Sequence, residues 1–362
     1  LFLENPAIRE GMLQPLALPM LYGGRPLTLL SLELNFRLCG EDPACFHLVN
    51  LLIHLGATSL VFILATGFSS SPLTAPLAAL IFAVHPLQAQ AVDYTWSRSM
   101  LLMAFFLLAS VAVTREGKSG WLGPALFQLA IWSRMDALAA LPLLIYLNRN
   151  RKLPIGILGV LNLAAACYSL FAAGNPGAAW SHDAPLRFIM EAPLNLLRYL
   201  DLMFLPGGYS IFHAYPEAGF LRISASAGSA ALIIFAAWRI RKKLPPAAAG
   251  TAWLILMLLP SLLIPNPDPV NESRAYAAFA GAALLAASLL AAAGNSAGRL
   301  LSTLVSRAGS YRNSTLTGAA AVLVSFACLP PLALITIERN HAWNSDIRSE
   351  EHTSELQSRQ SI

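Results

Sequence analysis

The chain has 362 residues, of which 56% are hydrophobic and only 12% are charged, and its mean hydropathy is +0.58. An average soluble domain is roughly 45–50% apolar and about 25% charged, so this composition excludes a soluble globular protein. The net charge of +5 is not arranged as a basic stripe with interleaved aromatic residues, which argues against nucleic acid as a partner.

Apolar runs broken by short polar loops follow one another through the sequence. A hydrocarbon core about 30 Å thick requires roughly 20 apolar residues per helix, and helices satisfy their own backbone hydrogen bonds inside lipid. The runs therefore predict an all-α fold, a polytopic transmembrane helical bundle of about 10 membrane helices. The predicted helices lie near residues 48–66, 73–86, 100–113, 120–133, 137–147, 154–173, 223–239, 247–264, 275–293 and 316–336.

Lysine and arginine residues are concentrated in four inter-helix loops, which the positive-inside rule places in the cytoplasm. Alternating the helices agrees with that assignment if residues 174–222 make no net crossing, and an amphipathic segment at 194–205 suits a helix at the outer interface. The basic loop residues are Arg115 and Lys118; Arg149, Arg151 and Lys152; Arg239, Arg241, Lys242 and Lys243; and Arg299, Arg307 and Arg312.

The loops on the opposite face are richer in His, Asp, Glu, Trp and Tyr. Titratable groups that converge on one face of a bilayer are the expected layout for chemistry on a lipid-anchored substrate. The sequence therefore predicts a functional site at the outer face. The outer loops cover residues 25–26, 85–98, 133–136, 182–216 and 265–276.

The four cysteines give little support for zinc or redox chemistry. Cys39, Cys45, Cys167 and Cys328 are scattered and form no C-x-x-C spacing. Cys39 and Cys45 are close enough in sequence to pair across a short loop, but buried or free thiols are the favoured expectation. No Walker or dinucleotide-binding glycine pattern is present, which argues against an ATP- or NAD-driven enzyme.

Five short motifs follow one another in the predicted outer loops and helix ends. Their order along the chain, with helices between them, is more specific than any single motif. They are Arg25-Pro-Leu-Thr28 with Asn35; Phe46-His-Leu-Val-Asn-Leu-Leu-Ile-His54; His85-Pro-Leu-Gln-Ala-Gln-Ala-Val92 with Tyr94 and Arg98; Arg198-Tyr199 through Pro206 to His213-Ala-Tyr-Pro216; and Glu272-Ser-Arg-Ala-Tyr276.

Together the motifs resemble the transmembrane and tetratricopeptide-repeat O-mannosyltransferase-like family of GT-C type glycosyltransferases, as a bacterial member. The resemblance implies transfer of a sugar, mannose by analogy, from a polyprenyl-phosphate donor to a protein or glycan hydroxyl. It implies a multi-pass protein of the bacterial inner membrane whose active face is periplasmic or extracellular. The implied partners are membrane lipid, the polyprenyl-phosphate sugar and the acceptor, and a divalent metal is compatible with this chemistry.

The resemblance also divides the chain into two parts. Residues 1–344 match the membrane domain, and we expect its first helix and an acidic loop to lie upstream of Leu1. The implied catalytic base belongs to that loop, so no catalytic residue is assigned. Arg339-Asn-His-Ala-Trp343 matches the segment that leads into helical repeats in the family. Residues 345–362 instead resemble a translated sequencing adapter, and a short disordered tail is the alternative.

Arg98, Arg274 and Arg25, in that order, are the candidate ligands of the donor phosphate. Arginine presents a bidentate fork that suits phosphate oxygens, and a cation neutralises the charge that grows on a phosphate leaving group. The alternative for each is an interfacial arginine that reaches lipid headgroups. Asp136 stands for the Glu of a Ser-Lys-Glu-like family element, whose Lys position becomes Met135 or shifts to Arg134.

The remaining candidate substrate-binding residues belong to the same motifs, and they include Gln88 and Tyr276. Glu272 either orients the Arg274 guanidinium or forms a solvated surface ion pair. His85 either bonds the donor phosphate or caps and packs its helix, and the second reading is slightly favoured. His213 is a candidate for lining the acceptor or sugar pocket.

Two groups of histidines do not make a metal site. His47 and His54 share a helix face with Asn50, where interhelical hydrogen bonding is the favoured role. His182 and Asp183 near His213 lack metal-ligand spacing.

A polytopic carrier or non-catalytic scaffold is the alternative function. Two departures from the family pattern motivate this alternative. They are the altered element at 133–136 and the absence of the acidic residues of the first outer loop. Carriers tend to place charged residues at the bilayer midplane and to show internal repeats, and this sequence has no repeat between its halves. The carrier reading is therefore the weaker one.

Overall fold

A computed structural model describes residues 25–68, 71–116, 120–147, 184–205, 207–210, 213, 218–266, 268–307 and 314–345. Within these ranges 86% of the residues are helical and no strand occurs, which confirms the all-α prediction. The predicted helix at 154–173 lies outside the described residues, as do His182, Asp183 and residues 346–362 of the suspected adapter.

Fourteen α-helices are described within those ranges, and we number them in chain order. The first seven are α1 Pro26–Cys39, α2 Pro43–Thr66, α3 Thr74–Val84, α4 Ala89–Asp93, α5 Arg98–Glu116, α6 Leu122–Ser133 and α7 Leu141–Leu147. The others are α8 Ala184–Met190, α9 Ala192–Phe204, α10 Phe220–Ile240, α11 Pro245–Leu263, α12 Tyr276–Arg307, α13 Ser314–Phe326 and α14 Leu329–Ser345. Short 3-10 helices cover Pro86–Gln88, Thr95–Ser97, Met135–Ala140 and Glu272–Ala275.

Six helical segments of the described chain are long and apolar enough to cross a membrane. A seventh is obtained if α3 and the Pro86–Asp93 segment, bent by 50°, count as one span. A multi-pass membrane protein is thereby confirmed, whereas the number of about 10 helices stays a prediction. The six segments are Pro43–Thr66, Thr95–Glu116, Phe220–Ile240, Pro245–Leu263, Glu272–Thr303 and Gly318–His341.

Helix α12 lies at the centre of the bundle and packs against α3, α11 and α13. Its alanine-rich part serves helix packing, since Ala278, Ala283 and Ala287 are fully buried. A Cβ atom on Gly250 would lie 2.5 Å from the carbonyl oxygen of Gly281, and one on Gly281 would lie even closer to that of Gly250. The backbones of α11 and α12 therefore touch where these glycines cross, as small residues allow in membrane helices.

The membrane helix predicted at 316–336 corresponds to the apolar segment Gly318–His341. Within this segment the chain forms α13 and α14, with a break at residues 327–328 that was not predicted. Pro330 and Pro331 follow that break, and proline is tolerated in the first turn of a helix but disrupts a helix interior. The two prolines therefore begin a new helix rather than continue the old one.

The expectation of free thiols at Cys39 and Cys45 is wrong, because a disulfide joins them. Helix α1 ends at Cys39 and α2 begins at Pro43, so the tight turn brings the two Cα atoms to 6.3 Å, within the range of a bridge. The bridge fixes α1 to the start of α2. Cys328 is a free thiol.

Candidate functional site

Arg98 lies fully buried at the start of α5 and ties three segments together. Its Nε donates to Asn50 Oδ1 at 2.7 Å, and its terminal nitrogens donate to the carbonyl oxygens of Ser31 (3.3 Å) and Phe46 (3.0 Å). Asn50 Nδ2 donates in turn to the Val92 carbonyl at 3.0 Å. The structure therefore places the first phosphate candidate in an internal network of α1, α2 and α5.

Tyr276 is fully buried in the core, away from any polar loop. Its hydroxyl lies 2.8 Å from His54 Nδ1, and His54 Nε2 lies 3.2 Å from the Ala83 carbonyl. A carbonyl only accepts, so Nε2 carries the proton and the Tyr276 hydroxyl donates to Nδ1. The interhelical role expected for His54 is confirmed, and Tyr276 is its partner.

His85 and Gln88 are both buried around the bend after α3. The Nδ1 atom of His85 accepts from the Leu87 backbone nitrogen at 3.2 Å, and its ring lies 4.3 Å from the Phe279 ring. His85 thus caps the 3-10 helix and packs against α12. Both polar atoms of the Gln88 amide lack a hydrogen-bond partner in the structure, which marks this side chain as one that water or a ligand would satisfy.

Glu272 is fully buried and forms the centre of a second polar network. Its Oε1 accepts from the Ser210 backbone nitrogen at 2.7 Å and lies 3.0 Å from His213 Nε2. Its Oε2 forms an ion pair with Arg339 of α14. Arg339 also donates to the Pro86 carbonyl at 2.9 Å. Both expected roles of Glu272 are therefore wrong, since its cationic partner is Arg339 rather than Arg274 and it is not a surface residue.

The 3-10 helix Glu272–Ala275 is held from two further sides. The Tyr199 hydroxyl of α9 accepts from the Asn271 nitrogen at 3.0 Å, and burial raises the pKa of this phenol. Gln90 Oε1 accepts from the Ser273 nitrogen at 2.9 Å. This short helix is consequently fixed by α4, α9 and α14 as well as by the loop that carries Ser210.

A cluster of three arginines lies beside this helix, and we call Arg25, Arg134 and Arg274 with Asp136 the arginine cluster. Thr28 donates to the Ser133 carbonyl at 3.1 Å, which joins the start of α1 to the end of α6. Arg134 forms an ion pair with Asp136. All four cluster residues are half-buried.

The electrostatics of Arg25 show that the cluster carries an excess of positive charge. Burial, together with the charges of Arg134 and Arg274 and against the opposing effect of Asp136, lowers the pKa of Arg25 to about 10. Three cations therefore face two carboxylates, Asp136 and, beside Arg274, Asp268, in a partly desolvated place. An anion there would relieve the mutual repulsion.

The structure thus separates the predicted site residues into groups. Arg25, Arg274 and Asp136 come together in the arginine cluster, and His213 and Glu272 form the neighbouring network. Arg98, His85 and Tyr276 contact other parts of the protein interior. No group of three metal-ligating side chains occurs in the described ranges, and the divalent metal stays a prediction.

Two cluster and network residues were not among the sequence-based candidates. Arg134 was considered only as a shifted lysine position, and Arg339 was noted only as part of a motif after the last membrane helix. The signal for Arg134 was its place between Ser133 and Asp136 in an outer loop. No sequence signal predicted the pairing of Arg339 with Glu272, which lies 67 positions earlier in the chain.

An apolar cavity of about 420 Å³ lies between α9, α10, α11 and α12. Asp201 and Thr251 supply its polar side chains. Helix α9 lines it with Leu196 and Leu200, on either side of the buried Tyr199 that contacts Asn271. The same short helix therefore borders both the cavity and the segment that carries Arg274.

These features define a multi-pass helical membrane protein with buried polar networks where the ends of α3, α6 and α11 meet the starts of α5 and α12. Its sequence is related to the protein O-mannosyl-transferases of the TMTC group, as the motifs indicated. The human protein O-mannosyl-transferase TMTC3 is 36% identical over 93 residues, which are 25% of this chain and 10% of that protein.

Two further relatives extend this finding. The human protein O-mannosyl-transferase TMTC4 is 39% identical over 100 residues, covering 24% of this chain and 14% of that protein. Protein O-mannosyl-transferase Tmtc2 of Drosophila melanogaster is 30% identical over 207 residues, covering 50% of this chain and 22% of that protein. The matched part of the chain thus spans less than a quarter of these relatives. No family model matches the chain, and no solved structure matches it.

Proposed function

We propose that this protein is a membrane glycosyltransferase that moves a sugar, mannose by relation, from a polyprenyl-phosphate donor to a protein or glycan hydroxyl. The observation that carries the proposal is the arginine cluster, in which three half-buried arginines outnumber the nearby carboxylates of Asp136 and Asp268. The names of the relatives support the sugar-transfer class. The membrane spans support a donor that is itself a lipid.

The cluster suits the departure of a phosphate. When the bond between the sugar carbon and the donor oxygen breaks, the phosphate gains negative charge, which preorganised guanidinium groups stabilise. Asp136 orients Arg134, and the Asp268 carbonyl accepts from an Arg274 terminal nitrogen at 3.4 Å. Glu272 and Asp136 are poor candidates for the base, because both are held by arginines.

The cavity beside α9 supports a place for the polyprenyl chain. Its lining is mostly aliphatic, which suits an isoprenoid chain. Helix α9 connects the cavity to Asn271, which contacts the Tyr199 hydroxyl and lies three residues before Arg274. A lipid in this cavity would present its phosphate toward the arginine cluster. The proposed donor would thus lie with its polyprenyl chain in the cavity and its phosphate at the arginine cluster.

The proposed location is the outer face of a bacterial inner membrane. The positive-inside rule supports that face, because the basic loops lie at the opposite helix ends from the cluster. The disulfide between Cys39 and Cys45 supports it independently, because disulfides persist in oxidising compartments rather than in the cytosol. The two observations support an outer location for the start and for the end of α1, respectively.

Binding of a polyprenyl monophosphate to the chain in lipid nanodiscs tests the phosphate site. We expect Arg25→Gln and Arg274→Gln each to weaken binding about 10-fold to 100-fold, since a charge-assisted hydrogen bond contributes about 1.5–3 kcal/mol. Native mass spectrometry over a titration with the lipid gives the affinities.

Arg299→Gln is the matched control. Arg299 lies exposed near the other end of α12, where it donates to Ser296 Oγ at 3.0 Å. We expect it to bind the lipid as the wild type does. Wild-type affinity in both cluster variants would refute the phosphate site.

A further inference from the structure

Resting on the proposed function, we infer that Arg339 is a positioning residue for Arg274, acting through Glu272. The last described helix, α14, thereby sets the geometry of a phosphate-binding arginine at the start of α12. Arg339 itself does not belong to the arginine cluster.

Contacts on two edges and one face fix the geometry of the Arg339 guanidinium. One terminal nitrogen donates to the Pro86 carbonyl at 2.9 Å while the other pairs with Glu272, so the planar guanidinium has two attachment points. The guanidinium also lies 4.6 Å above the ring of Tyr209. A side chain held on two edges and one face has little freedom to move.

Arg339 is the only arginine or lysine among the described contacts of Glu272. The carboxylate of Glu272 is completely buried, and breaking a buried pair by removing one partner leaves a charge without compensation. Loss of Arg339 would therefore move Glu272 or draw in solvent, rather than leave it in place.

The backbone of a short helix links Glu272 to Arg274. Both belong to one four-residue 3-10 helix, and the Arg274 nitrogen donates to the Asn271 carbonyl at 3.1 Å. A displacement of Glu272 is transmitted to Arg274 over a single turn. Supporting residues that hold a binding group within a fraction of an ångström are what gives such a site its affinity.

The test compares Arg339→Gln with Glu338→Gln in nanodiscs. Glu338 is the exposed neighbour of Arg339 on α14 and serves as the matched control. Two ligands are titrated, a polyprenyl monophosphate and the corresponding polyprenol, which has the same chain without the phosphate. We expect Arg339→Gln to bind the phosphate about tenfold more weakly, since small misplacements of a binding group are costly, and to bind the polyprenol unchanged.

The second ligand separates positioning from general destabilisation, which would weaken binding of both lipids. Arg339→Lys retains the charge but lacks the fork, so we expect it to recover part of the phosphate affinity. Equal weakening for both lipids, or no recovery by lysine, overturns the positioning role.

The outcomes also distinguish this inference from the proposed function. If Arg274→Gln weakens phosphate binding while folded Arg339→Gln binds like the wild type, the phosphate site stands and the role of Arg339 is refuted. If Arg274→Gln binds like the wild type, the proposed function fails first.

Discussion

Arg98 and the arginines of the arginine cluster all come from segments that resemble the family, yet their surroundings differ. Arg98 is fully buried, and its partners are the neutral oxygens of Asn50, Ser31 and Phe46. Arg25 and Arg274 are half-buried beside a third arginine, and the two nearby carboxylates, Asp136 and Asp268, are fewer than the arginines. The first arrangement uses its donors on the protein, whereas the second leaves positive charge in excess. Motif membership alone does not distinguish these roles.

The largest effect on stability is expected from Arg98→Ala. Its removal leaves three acceptors without their donor, each worth about 1–3 kcal/mol, so we expect a loss of at least about 3 kcal/mol. Thermal unfolding in detergent, followed by size-exclusion chromatography, measures it. If Arg98→Ala kept the wild-type Tm but lost polyprenyl-phosphate binding, Arg98 would belong with the cluster and the comparison would break.

A smaller loss is expected from Gly281→Ala, which tests the packing that supports both regions. The new methyl would collide with the α11 backbone, and overpacking of this kind costs about 1–3 kcal/mol. Gly228→Ala in α10 is the control, because a Cβ there meets nothing within 4 Å and alanine favours a helix by up to about 1 kcal/mol. A Tm for Gly281→Ala at or above that of Gly228→Ala would contradict the close crossing.

The smallest effect on stability is expected from Arg25→Gln. The pKa of Arg25 falls to about 10 on folding, so the charged form is disfavoured in the folded protein. This cost is fully present below about pH 10 and is relieved as the pH rises from there toward 12.5. At pH 7 the variant should therefore unfold at the wild-type temperature or slightly above it. A clear fall in Tm would place Arg25 with Arg98 as a scaffold residue.

Much of the fold could be predicted because hydropathy is a local property. The runs at 48–66, 100–113, 223–239 and 247–264 correspond to α2, α5, α10 and α11, with boundaries that differ by at most five residues. The apolar run at 316–336 corresponds to the segment Gly318–His341. The break between α13 and α14 was not predicted, because hydropathy alone does not weigh Pro330 and Pro331 against the apolar run.

The site was harder to predict, because side-chain partners depend on tertiary contacts. Arg274 lies two residues from Glu272 in sequence, yet the partner of Glu272 is Arg339. Arg98 and Arg274 occupied similar places at helix starts, and only the buried acceptors around Arg98 separate them. Arg25, Arg274 and Asp136 were each named from motifs, and their meeting in one cluster needed the packing of α1 against α6.

The crossing of Gly250 and Gly281 also sets the axial register of the bundle. Each residue advances a helix by about 1.5 Å, and two interlocked glycines leave no room for α12 to slide along α11. Because Arg274 sits just before α12, a slip by one residue would shift its guanidinium along the membrane normal by a comparable distance. The glycine pair therefore holds Arg274, the arginine proposed to bind phosphate, at one level of the bilayer.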